Sequence, residues 1–231
     1  MQPQADPFIV PKCLEHIDVI YQDDSLLVIN KPTKLLSLSG KHPLNKDSVH
    51  FRLVQEYPTC TLIHRLDFGT SGLMVLALNK EINQHLCKQF SDRTVVKHYE
   101  AILDGQVKER EGQINIPIIK DVDAFPLQKV CYSNGKAAVS PYQVLHYNEQ
   151  QHSTLVRFKP STGRTHQLRI HSREMGHPIL GCDLYDLNNS FFKANRLMLH
   201  ASYLQFTHPI NNEVMSFELS KNWQVTNSEC V

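Results

Sequence analysis

The chain has few of the features that mark a secreted, metal-bound or membrane protein. Its six cysteines, at 13, 60, 87, 131, 182 and 230, are scattered, with no CxxC among them. In a chain long enough to build its own core, that pattern reads as free thiols rather than disulfides or a metal site, and it suits a reducing cytoplasm. No long hydrophobic run exists. The longest, Leu73 to Leu78, has six residues, against roughly 18 for a bilayer span. Met1 to Pro7 contains neither a basic patch nor an apolar stretch, so no secretory leader is expected. Glycine is sparse, nine in 231 residues, and no GxG or GxxxxGK[ST] occurs. That argues against the phosphate-cradling loops of kinases and nucleotide hydrolases, although Arg65-Leu66-Asp67-Phe68-Gly69 superficially combines two kinase elements on one aspartate. An excess of charge of one sign is also missing: 24 Lys and Arg face 23 Asp and Glu, a net charge of +1. Any polynucleotide partner would therefore be held by a local patch.

What is present is an ordinary globular composition, 41% hydrophobic and 20% charged, in a length that suits one large domain. Residues 1–16 carry three prolines and no periodicity and read as an N-terminal arm. Strands are expected over Ile17–Tyr21, Leu26–Ile29, Gly72–Leu78, Val95–Leu103 and Thr154–Lys159, and a terminal hairpin over Tyr203–Phe206 and Val214–Leu219. Four-residue apolar spacing predicts helices over Lys46–Tyr57 and Glu81–Ser91, and a third beginning near Thr165 and ending before Gly176 and Pro178. Strands outnumber helices, and there is no regular strand–helix alternation. The expected class is therefore α+β with a large, mostly antiparallel or mixed sheet, in one domain.

Two segments stand out as chemistry. In His64-Arg65-Leu66-Asp67-Phe68-Gly69-Thr70-Ser71-Gly72, a carboxylate sits in a polar loop directly before a buried strand, where reactive groups are often presented. An ionised Asp67 would serve as nucleophile or base. Asp and Gly between strands also suit a plain turn. In the second segment, Thr162-Gly163-Arg164-Thr165-His166-Gln167-Leu168-Arg169-Ile170-His171, a helix start beside Arg164 would favour an anion. A metal reading of His166 and His171 fails, because five residues separate them by about 140° around a helix. From Arg157 to His177 five cations (Arg157, Lys159, Arg164, Arg169, Arg173) meet one acid, Glu174. Such a run is either a binding patch or a solvated face. Taken alone, Tyr99 reads as half-buried packing.

Taken together, these segments resemble the pseudouridine synthases, in the family of the large-subunit ribosomal enzymes and a tRNA-modifying branch. The resemblance rests on Asn30-Lys31-Pro32, His64-Arg65-Leu66-Asp67-x-x-Thr70-Ser71-Gly72-Leu73, Lys97-x-Tyr99-x-Ala101, Pro160-x-Thr162-Gly163-Arg164-Thr165-His166-Gln167-Leu168-Arg169-x-His171, Gly176-His177-Pro178-Ile179-x-Gly181, Leu199-His200-Ala201 and His208-Pro209, in the family's order. Gln128-Lys129-Val130-Cys131-Tyr132 with Gly135-Lys136-Ala137 looks like the branch with dual specificity for 23S rRNA and tRNA anticodon loops. Lys34 stands where the family usually has a glycine.

The resemblance implies an α+β fold in which sheet, helices and loops surround a central active-site cleft. It implies a catalytic domain over 17–231 without an S4-type RNA-binding domain, and conversion of uridine to pseudouridine in structured RNA. No cofactor and no metal are implied. Asp67 would be the essential carboxylate, Arg164 its salt-bridge partner and Tyr99 a group stacking on the target base. Arg65 would be the wedge replacing the everted base. RNA contacts are expected from His64, Arg65, Thr165, His166 and Arg169. A cytoplasmic monomer is the expectation. The alternatives are a catalytically silent RNA-binding module of the same fold, or a nucleoside or glycoside hydrolase. The latter usually needs a second carboxylate, and Asp67 has no evident sequence partner.

Overall fold

The computed structural model describes residues 9–220 and Trp223. In chain order its elements are β1 (Asp18–Gln22), β2 (Leu26–Lys31), a 3-10 turn (Pro43–Asn45), α1 (Val49–Leu53), β3 (Thr61–Leu62), β4 (Ser71–Ala77), α2 (Lys80–Ser91), β5 (Val96–Asp104), β6 (Glu111–Asn115), β7 (Ile118–Lys120), β8 (Gln128–Val130), β9 (Val139–Asn148), β10 (Ser153–Phe158), α3 (Gln167–Glu174), a second 3-10 turn (Ser190–Lys193), β11 (Leu199–Thr207) and β12 (Val214–Glu218). Strands dominate, with short helices set among them, as the α+β reading requires. Among the described residues no helix is long and apolar enough to cross a membrane.

The described residues gather into two compact units, 9–96 with Tyr203–Leu219, and Lys97–Ser202 with Ser220 and Trp223. The division falls inside β5 and β11 rather than in a linker, so composition carries no mark of it.

In the first unit β1, β2 and β4 lie side by side and antiparallel, with β3 also on β4, and β12 pairs antiparallel with β11. Leu26, Val28, Leu73, Val75 and Ala77 project from one face of β2 and β4 onto Ile82 and Leu86 of α2, with Leu204 and Phe206 in the same cluster. Leu27, Ile29, Met74 and Leu76 project from the opposite face and are equally buried. Both strands thus read as continuous apolar runs, and each large aliphatic side chain so buried contributes about 1.5–3 kcal/mol. Helix α2 starts where expected because Asn79 accepts a hydrogen bond from the Ile82 amide (2.9 Å). The first helix is shorter than its periodicity suggests. Ser48, in extended conformation, caps it through the Phe51 amide, and beyond Leu53 the chain closes in turns ahead of Pro58. Of the expected arm, residues 1–8 lie outside the described residues. The rest forms no helix or strand, yet Asn45 accepts from the Val10 amide and Arg52 donates to the Cys13 and Glu15 carbonyls. Side chains hold this segment, which is why no periodicity announced it.

In the second unit the order is β5–β10–β9–β6, all antiparallel, with β7 and β8 as a separate antiparallel pair. Its core includes Ala101, Leu103, Val156, Phe158, Leu168, Ile170, Ile179 and Leu199. Helix α3 begins two residues later than expected, because its N-cap, His166, takes the left-handed conformation (φ 56°, ψ 16°).

Candidate active site

In the first unit, the backbone around Asp67 is pinned on both sides. The Ser37 hydroxyl donates to the Leu66 carbonyl (2.7 Å) and accepts from the Leu66 amide (3.1 Å). Thr33 donates to the Gly69 carbonyl (2.7 Å), and the Thr70 amide closes a turn on the Asp67 carbonyl (3.1 Å). Lys31 is fully buried, and its ammonium donates to the carbonyls of Leu35 (2.7 Å), Pro32 (2.9 Å) and Phe68 (3.4 Å). The segment from Lys31 to Ser37 is therefore a clamp on residues 66–69, and it fixes where the half-buried Asp67 side chain leaves the chain. Lys34, which replaces a glycine of the family pattern, keeps the left-handed conformation a glycine would allow (φ 56°).

Arg65 is exposed, whereas His64 is not a free surface group. The His64 ring stacks on Phe90 (4.7 Å between centroids), and its Nε2 accepts from the Val75 amide (3.2 Å). A role in packing accounts for it.

In the second unit, Tyr99 is half-buried on β5, directly opposite Phe158 of β10. The motif around Arg164 is organised by Gln167, a residue that sequence reasoning passed over. The Gln167 Oε1 accepts from the Arg164 amide (2.9 Å) and the Thr162 hydroxyl (2.8 Å), and its Nε2 donates to the Val139 carbonyl (3.1 Å) and the Ser140 hydroxyl oxygen (2.9 Å). Thr162 in turn accepts from the Val139 amide (2.9 Å). These bonds fasten the loop to the start of β9. Arg164 is half-buried and donates through Nε to the Ala137 carbonyl (3.1 Å). That carbonyl follows the turn at Gly135, where a Cβ would stand 2.2 Å from the Cys131 carbonyl oxygen, so only glycine fits. Thr165 is exposed at the tip.

The basic window is smaller on the surface than in the sequence. Arg157 pairs with Glu100 (2.9 Å) across the β5–β10 ladder. Arg173 is exposed, with Glu174 3.6 Å away. Arg169, expected among the RNA contacts, is only 4% exposed and departs from that expectation. Its guanidinium is ion-paired with Asp183, donates to Cys182 Sγ (3.3 Å) and lies 5.4 Å from the Tyr185 ring centre. The same tyrosine hydroxyl accepts from the Gln128 amide (2.9 Å) and bonds His166 Nδ1 (2.7 Å). His166 is thus half-buried against Tyr185, at the N-cap position of α3 but with no side-chain capping bond. His171 is fully buried: Nε2 faces the Ile116 carbonyl (3.0 Å) and Nδ1 faces the Ser140 hydroxyl (2.9 Å). Burial lowers its pKa, so it is neutral, donating from Nε2 and accepting at Nδ1. Lysine and arginine at Lys159 and Arg164 remain the window's cations without an acid partner among the described residues. Nor do three or more His, Cys, Asp or Glu side chains gather there as a metal site.

Comparison with known proteins places these features in a family. Residues 25–174 match the family model described as RNA pseudouridylate synthase. Proteins named dual-specificity RNA pseudouridine synthase RluA are similar along most of the chain. The one from Vibrio parahaemolyticus is 45% identical over 210 residues, 90% of this chain and 81% of its own. The one from Escherichia coli K12 is 41% identical over 216 residues, 94% of each chain. Among solved structures, human RNA Pseudouridylate Synthase Domain Containing 1 aligns with a TM-score of 0.77 at 29% identity, covering 91% of this chain and 86% of its own. The match spans both the Asp67 loop and the Arg164 loop, and the chain belongs to the RNA pseudouridylate synthase family.

Proposed function

We propose that the chain isomerises uridine to pseudouridine in both 23S rRNA and the anticodon loop of tRNA, with residues 17–231 acting as one catalytic domain in a cytoplasmic monomer. The reaction breaks the C1′–N1 bond of a uridine, turns the base and rejoins it through C5, and the proton on C5 is replaced by one on N1. Asp67 is the carboxylate of this site. The clamp of Lys31, Thr33 and Ser37 on the adjoining backbone is the observation that carries the reading, since a reacting group must be held in place before substrate arrives. Arg164 serves the reaction as a cation, and Tyr99 stacks on the everted base. Arg65, exposed two residues before Asp67, fills the gap that the base leaves. Thr165 and Lys159 supply contacts to the RNA backbone. The dual substrate range is supported by the names of the relatives.

The test is carbodiimide mapping of pseudouridine in tRNA and 23S rRNA treated with the purified protein or with Asp67→Asn. The wild type should modify sites in both RNAs, and the variant should modify none while binding RNA with affinity close to the wild type. Product formation by the variant would refute the role of Asp67, and release of free uracil would point to a hydrolase.

A further inference from the structure

The Arg164 motif runs on to His171, a buried imidazole to which the reaction above gives no task. Between the two stand Gln167 and Ser140, also buried, and each hydrogen bond that joins these groups has a definite direction. The Ile116 carbonyl only accepts, so the proton facing it sits on His171 Nε2 (3.0 Å). At the other end the Arg164 amide only donates and the Val139 carbonyl only accepts, which orients the Gln167 amide. Its Oε1 meets Arg164 (2.9 Å) and its Nε2 meets Val139 (3.1 Å). The second hydrogen on Gln167 Nε2 goes to Ser140 Oγ (2.9 Å), and the Ser140 hydrogen is left for His171 Nδ1 (2.9 Å). A neutral ring protonated on Nε2 has its lone pair on Nδ1 to receive it. Both ends demand the same arrangement, and neither His171 nor Ser140 meets solvent that could supply another.

Gln167 also closes on Arg164 twice, since its own amide donates to the Arg164 carbonyl (3.1 Å) while its Oε1 takes the Arg164 amide. The backbone that launches the guanidinium is thus held by one residue, whose side chain is held in turn by Val139 and Ser140. We propose that His171 and Ser140 are positioning residues for Arg164, the ring orienting the hydroxyl that keeps Gln167 turned toward the Arg164 amide. This rests on the reading that gives Arg164 a part in uridine isomerisation. Neither residue touches substrate in this role. Their task is to fix the loop before RNA arrives, where a displacement of about 1 Å costs on the order of a hundredfold in rate.

The test uses the two amide analogues of histidine. His171→Asn places an oxygen where Nδ1 stands and can accept from Ser140. His171→Gln places an NH2 group where Nε2 stands; it can donate to Ile116 but leaves Ser140 without its acceptor. Ser140→Ala cuts the same link from the other side. Single-turnover conversion of an anticodon stem-loop RNA is measured for each folded variant, with Kd by fluorescence anisotropy. His171→Gln and Ser140→Ala should each lower the rate roughly tenfold or more at a Kd close to the wild type. Their combination should lose little beyond either alone, because both break one chain. His171→Asn should keep most of the wild-type rate. Wild-type rates in His171→Gln and Ser140→Ala would overturn the proposal. A loss in His171→Asn equal to that in His171→Gln would also overturn it, tracing the effect to packing of the ring. Amide hydrogen exchange across residues 162–168 gives a readout independent of the reaction. It should quicken in His171→Gln and Ser140→Ala but not in His171→Asn, and unchanged exchange in all three counts against the proposal. If His171→Gln unfolds early, Ser140→Ala against His171→Asn carries the comparison. Absence of pseudouridine with the wild type would sink the isomerase reading alone, because exchange still decides whether the chain of bonds holds the loop.

Discussion

Replacing Lys31 with methionine isolates what holds the Asp67 loop. Methionine preserves the stem that runs through the first unit's core but donates nothing. The carbonyls of Pro32 and Leu35, at 2.9 and 2.7 Å, lose a charged donor, and that of Phe68, at 3.4 Å, loses a weaker one. Each buried carbonyl left without a partner costs about 1–3 kcal/mol. Two good bonds and one long one therefore cost roughly 3–6 kcal/mol. Removing a desolvated ammonium recovers part of this, leaving a net loss of about 2–4 kcal/mol. For a chain of this size that is a fall in Tm of roughly 4–16 °C. Urea and thermal unfolding would measure it, with single-turnover conversion of RNA as the second readout. Because the Phe68 carbonyl adjoins Asp67, kcat should fall at temperatures where the variant is still folded. A loss below about 1 kcal/mol, or full kcat in the folded variant, would refute the clamp.

Two further outcomes follow from the second unit. His171 is buried neutral, with its pKa held below the ordinary 6.5. Between the lowered value and 6.5 the unfolded chain binds the proton and the folded one does not. Its contribution to stability is therefore complete above about pH 6.5 and is lost as the pH falls. His171→Gln should flatten the dependence of unfolding free energy on pH, by up to about 1.4 kcal/mol per unit in that window. Identical pH slopes in urea titrations would show that the ring does not titrate as its burial requires. Arg169→Met should cost roughly 1–3 kcal/mol through the lost Asp183 pair and Tyr185 contact, discounted because Asp183 is half exposed. It should leave the salt dependence of RNA binding unchanged. Arg65→Ala should do the reverse, with stability within about 0.5 kcal/mol of wild type and weaker RNA binding, and a swap of these two patterns would reverse the assignment of the two arginines.

Strands β1, β2, β4 and β5, together with β10 and α2, were legible because their apolar patterning is local. The stretch between Gly105 and Gln151 was not: β6 is mostly exposed, β7 and β8 are three residues each, and β9 mixes exposed and buried positions without a clean period. Helix α3 starts two residues later than expected: His166 has a left-handed backbone, and its ring bonds Tyr185, 19 residues away, which no local pattern announces.

The motifs were enough to indicate the family by resemblance, and through it to suggest roles for Asp67, Tyr99 and Arg164, because reactive side chains must recur at definite places along the chain whatever surrounds them. Which cations meet solvent was decided only by the folded chain. Arg169 and Arg173 lie one helical turn apart with the same charge, yet one is sealed against Asp183 and Tyr185 while the other is exposed. The purpose of Lys31, Ser37 and Gln167 was likewise invisible before folding, for each acts on backbone groups 28 to 37 residues distant. Hydrogen bonding over such separations leaves no periodic trace in a sequence, since it depends on where the core brings two loops together.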